Sequence, residues 1–108
     1  MNAEEFVKNF YKEKQDVLNG YFNEDEESEA GVIINKLIDS GVHKDVLYSL
    51  VDSILIDTYY TILLGLDGEA NIGGTQMTYK IYDEDDNLIN ECGEIEEKAY
   101  EYFQENEK

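Results

Sequence analysis

Val46, Leu47, Leu50, Val51, Ile54, Leu55, Tyr59, Ile62 and Leu63 recur at three- and four-residue intervals. That spacing puts apolar side chains on one side of a helix. A stripe this wide needs cover from much of the remaining chain. The pattern predicts a helix from about Lys44 or Asp45 to Gly65, acting as the central core helix. Two further helices are expected before it. Ala3, Phe6, Val7, Phe10, Tyr11, Val17 and Leu18 keep helical spacing, with one gap at Lys14. Asn2 is placed to cap this first helix and Glu5 to complete a capping box. Its end is expected at Asn19-Gly20, where glycine tolerates a left-handed C-terminal residue, with continuation through Tyr21 and Phe22 as the alternative. Val32, Ile33, Leu37 and Ile38 form the apolar face of a second helix, closed by Ser40-Gly41.

Beyond Gly65 the pattern changes. Residues 65–74, GLDGEANIGG, contain four glycines and read as a turn-rich loop. Thr75 to Tyr82, TQMTYKIY, alternates and is rich in strand formers. DEDDN at 83–87 reads as a polar turn, Leu88 to Glu91 as a short return strand, and 94–105 as a terminal helix with Ile95, Ala99, Tyr102 and Phe103 on one face. The expected order is α-α-α-β-β-α: an α+β fold of three N-terminal helices, a β-hairpin and a C-terminal helix around one core. A two-stranded hairpin is weak alone, so it must pack on the helices or pair with another chain. The 108 residues fit one domain, 1–108, with no internal repeat or linker.

Charge narrows the classes of function. Twenty-six Asp and Glu face eight Lys and no Arg, for a formal net charge of -18. Such a chain cannot supply the cationic footprint that nucleic-acid phosphates or anionic membranes require. It is drawn to basic partners, with steering that weakens in salt. A hydrophobic content of 42% separates it from a disordered acidic tail. The single cysteine, Cys92, forms no intrachain disulfide. MNAEEFVKNF lacks the apolar core of a secretory signal. The longest apolar run, Ile54 to Leu66, is interrupted by Asp57, Thr58 and Thr61 and falls short of a bilayer span. A cytoplasmic protein with no membrane partner is the expectation.

No constellation of residues identifies a reaction, so the expectation is a binding protein, not an enzyme, with no cofactor and no metal. Asp83, Asp85, Asn87 and Glu94 match positions one, three, five and twelve of an EF-hand loop. Leu88 stands at position six, where glycine is needed, and the preceding residues read as a strand. A hairpin turn is the simpler account, with weak divalent-cation binding as an alternative. GLDGEANIGG lacks the lysine and parallel strand of a phosphate loop. His43 is the only histidine and sits at a helix start. Cys92, between Glu91 and Glu94, reads as a small semi-buried residue.

The tyrosines carry more information. Adjacent Tyr59 and Tyr60 cannot both face a helix-packed core, and Tyr79 and Tyr82 fall on opposite faces of the expected strand. Exposed aromatic anchors within an acidic field suit a basic protein partner. The contact candidates are Glu24, Asp25, Glu26 and Glu27 in the first acidic run, Asp67 and Glu69 in the loop, and Asp83, Asp85 and Asp86 in the turn. Tyr60 and Tyr82 are the candidate anchors. Size, charge and single-domain form together resemble the immunity proteins of bacterial toxin systems. That resemblance implies neutralisation of a basic partner, such as a toxin nuclease, by covering its working surface. It rests on no matched motif and transfers no functional residue. The alternative is a structural or adaptor subunit that forms a homodimer through its hairpin.

Overall fold

A computed structural model of the chain describes residues 1–105. Among the described residues four α-helices make up the fold: α1 (Ala3–Tyr21), α2 (Glu29–Asp39), α3 (Lys44–Leu66) and α4 (Glu94–Tyr100), the last continuing as a π-helical turn over Glu101–Glu105. The Asn2 side chain accepts a hydrogen bond from the Glu5 amide at 2.9 Å, so α1 is capped as its sequence predicts. Gly20 does not end the helix. It stays helical, with the Glu26 carboxylate lying where a Cβ would project. Ser28 Oγ caps α2 by accepting from the Gly31 amide at 3.0 Å.

The main core lies where α1, the C-terminal half of α3 and α4 meet. Ala3, Val7, Leu63, Ile89, Ile95, Ala99 and Phe103 are buried there. Phe103 sets its ring edge-on to Tyr11 at 5.4 Å and also contacts Tyr59. The other end is thinner. Leu18, Ile34 and Leu47 are buried there. The Phe22 and Tyr48 rings meet at 5.2 Å. The molecule is correspondingly long, 48 × 28 × 26 Å.

The expected α+β fold is overturned. Among the described residues there is no β-strand; only isolated bridges form, at Ile72–Thr75 and Tyr82–Leu88. The physical reason is Asn90. Its Oδ1 accepts from the Ile81 amide at 2.8 Å, and its Nδ2 donates to the carbonyls of Tyr79 and of Leu66, the latter at 3.2 Å. One buried side chain thus takes the backbone groups that a second strand would have bonded, and ties the segment to the end of α3. The expected hairpin shrinks to a turn closed by Asp83–Asn87 and Ile89–Ile81 backbone bonds. Residues 75–78 stay exposed, so their alternating pattern has no sheet to serve.

The role foreseen for α3 also changes. It runs over the expected residues, but only Leu47, Leu63 and Gly65 are buried along it. Val46, Leu50, Ile54 and Ile62 face outward. As a 23-residue helix it is also long and apolar enough to cross a membrane, by length and composition alone. Reading uninterrupted apolar runs had missed this, because Asp57 divides the segment without making it polar.

Candidate functional site

The residues singled out in the sequence are dispersed. Glu24, Asp25, Glu26 and Glu27 are exposed in the loop between α1 and α2. Phe22–Tyr48 packing puts that loop beside the N-terminal end of α3. Tyr60 lies twelve residues beyond Tyr48, about 18 Å along the helix at 1.5 Å per residue. The first acidic run and Tyr60 therefore belong to separate surfaces.

Asp67 is buried and works inside the fold. The N-cap of α4 is Gly93, which offers no side chain. Asp67 Oδ2 replaces it from across the molecule, accepting from the Glu96 amide at 3.0 Å. Burial pushes this carboxyl up from its ordinary pKa, against the lowering effect of that hydrogen bond. Glu69, two residues on, is exposed.

Asp83 is saturated. It accepts from the Met1 amino group at 2.6 Å, from the amides of Asp85 and Asn87 at 2.9 and 3.0 Å, and from Asn87 Nδ2 at 3.0 Å. The amino group first, and the Asn87 bonds next, hold its carboxyl well below the usual carboxylate range. Asp85 and Asp86 remain exposed at the turn, with Asp86 at φ 64°. Tyr82 is exposed beside them. Among the described residues no group of three or more His, Cys, Asp or Glu is arranged to hold a metal ion. The EF-hand-like spacing therefore builds a closed side-chain turn. Cys92 is exposed, not semi-buried. It follows Asn90 at the C-terminal end of α3, while His43 precedes the N-terminal end, so no Cys–His pair forms.

Among the expected residues, Glu27 borders a hollow beside Val32 and Ile33, Asp67 and Glu69 border another with Thr78 and Lys80, and Tyr60 enters a third. With Tyr100 it lines a shallow hollow of about 480 Å³ between α3 and α4, and Gly93, Glu96, Glu97, Glu101 and Glu105 complete the lining. The helix makes this arrangement. Glu97, Glu101 and Glu105 recur every four residues, as do Glu96 and Tyr100, so they share adjoining faces. Burial, followed by the charge of Glu96, pushes the Tyr60 hydroxyl pKa up. Burial and the neighbouring Glu69 do the same for Glu96. Lys98 lies close by, 3.4 Å from Glu101 on a neighbouring turn. The hollow is therefore a concave, aromatic, net-negative surface. Sequence reasoning saw Tyr60 but not its partners. The signal was present in the four-residue repeat of glutamates, yet it was indistinguishable from an ordinary solvated helix face until α3 packed beside it.

No family model, no curated protein and no solved structure matches this chain.

Proposed function

We propose that this protein acts by binding a basic protein partner, in the manner of an inhibitory or sequestering protein, with the hollow at Tyr60 and Tyr100 as the recognition surface. One observation carries the reading: two tyrosines share a concavity with four glutamates on a molecule of net charge -18. The carboxylates steer a cationic partner and the rings supply apolar area once water is expelled. Glu96 favours this mode. Burial and the neighbouring Glu69 disfavour its negative charge, and a basic side chain arriving beside it relieves that cost. The resemblance in size and charge to immunity proteins supports neutralisation of the partner's activity as the outcome.

The test is capture from the native host lysate at low and high salt, run in parallel with wild type, Tyr100→Ala and the double variant Glu97→Gln/Glu101→Gln. Stoichiometric recovery of one basic protein by wild type, released by salt and lost in both variants, supports the proposal. Recovery of bait alone, or a partner indifferent to these variants, counts against it.

A further inference from the structure

The segment after Gly74 presents two unlike edges. Thr75, Tyr79, Ile81 and Asp83 spend backbone groups inside the molecule: Thr75 on Ile72, Tyr79 and Ile81 on the Asn90 side chain, Ile81 and Asp83 on Ile89 and Asn87. The Tyr79 carbonyl and the Ile81 amide meet the same side chain, which is how extended backbone presents alternate residues. The residues between them point the other way. Gln76, Thr78, Lys80 and Tyr82 have no backbone hydrogen bond among the described residues, and all four are exposed. An exposed row of unpaired amides and carbonyls at every second residue is a template for another strand.

Composition indicates the occupant. Proteins blunt such edges with proline or charge. This chain has no proline, and Lys80 is the only charged residue from 70 to 82. No carboxylate stands there to draw the strand of a basic protein. A second copy fits instead. With Thr78 opposite Thr78 in an antiparallel pair, Gln76 faces Lys80, so neither lysine meets its own kind. Met77 then faces Tyr79 in the type of pair whose side chains stand closer, where a thioether packs well on an aromatic ring. Met77 is 57% exposed in the single chain, and this pairing covers it. The acidic run Asp83 to Asp86 falls past the pairs, towards the other copy's uncharged residues 70–73, so carboxylates do not oppose one another.

We infer that two copies of this chain pair antiparallel through the open backbone edge of Gln76, Thr78 and Lys80, about a two-fold axis at Thr78. The pairing uses a different segment from the hollow at Tyr60, and its response to salt is opposite. Two chains of net charge -18 repel, so salt strengthens the pair, whereas salt releases a basic partner.

Sedimentation velocity on the full chain, from micromolar to millimolar concentration at low and moderate salt, tests this together with hydrogen exchange followed by NMR. The mass is expected to rise with concentration and with salt towards twice 12.5 kDa. The amides of Gln76, Thr78 and Lys80 should slow about tenfold once nine chains in ten are paired, while that of Met77 between them does not. Thr78→Pro removes an amide that bonds nothing in the single chain, and is expected to keep the one-chain mass and the helical circular dichroism. Thr78→Cys in a Cys92→Ser chain is expected to link two copies on oxidation, and Thr75→Cys in the same background to stay unlinked. A one-chain mass for wild type throughout overturns the inference, including the case in which the three amides slow only when a captured basic protein is added. So does a dimer without the alternating pattern of slowed amides, a dimer that survives Thr78→Pro, or a Thr78→Cys chain that links no faster than Thr75→Cys.

Discussion

Lys14 Nζ lies 2.8 Å from Asp52 Oδ1, joining α1 to α3, and the lysine side chain is fully buried while the aspartate is only partly so. The ammonium also sits 4.8 Å from the centre of the Tyr11 ring. Lys14 is the gap in the apolar repeat of α1. The structure turns that gap into an inter-helix tie at a core position.

Replacing one member of such a pair leaves the other charge poorly compensated, whereas replacing both by apolar residues of similar volume is tolerated. Asp52→Ala is expected to cost about 3 kcal/mol, the lower end of the range for broken buried pairs, because Asp52 is partly solvated. The double variant Lys14→Met/Asp52→Leu is expected to change stability by about 1 kcal/mol or less. Urea unfolding of both variants checks this. Equal, large losses in the two would show that the pair is required as charge and not only as volume.

Asn90 joins three backbone groups from two separate segments. Asn90→Ala removes all three bonds and is expected to cost about 2–3 kcal/mol, at roughly 1 kcal/mol for each. Hydrogen exchange at the Ile81 amide should accelerate well beyond that at Val7. Unchanged protection at Ile81 would remove Asn90 from the role assigned to it.

Stability should rise in mild acid. Asp67 and Glu96 have folded pKa values raised above their ordinary 3.8 and 4.5, chiefly by burial. The folded state therefore binds protons that the unfolded state does not, and stability falls as pH rises through the interval above those ordinary values. Asp83 has the opposite sign. Its contribution is present above pH 3.8 and is lost as pH falls below it, through its lowered folded pKa. The melting temperature is thus expected to rise as the pH is lowered from neutrality into mild acid and to drop in strong acid. Asp67→Asn, which keeps an acceptor for the Glu96 amide, should flatten the rise. Asp67→Ala should cost about 1 kcal/mol through the lost cap.

Salt should stabilise the chain. With 26 carboxylates against eight lysines, screening weakens self-repulsion more than it weakens the few ion pairs. The melting temperature is expected to climb from low to moderate salt. A flat profile would show that the carboxylates lie far enough apart not to oppose folding.

The helices were legible because each carries its own local signals. Asn2 and Glu5 mark the start of α1, Ser40-Gly41 follows α2, and Ile95, Ala99 and Phe103 form the inner stripe of the last helix. The hairpin was misread because TQMTYKIY has the alternation and composition of a strand. Strand formation depends on a partner's backbone groups, and Asn90 occupies the ones this segment needs. Of the candidate site, Tyr60 was legible as an aromatic residue with no room in the core. Asp67 was not separable from the surface acids by any local feature.

The amino-acid sequence by itself determined the strong acidity, the positions of the four helices and the surplus of apolar residues along α3, because charge and helical periodicity are properties of neighbours in the chain. Only the tertiary structure decided that Asp67 caps α4, that Lys14 is buried against Asp52, that Tyr60 meets Tyr100 and four glutamates, and that the Val46–Leu50–Ile54 ridge stays uncovered. Those outcomes depend on which helix faces find cover. With its core built at one end of an elongated molecule, the chain covers only part of the apolar surface that its sequence provides.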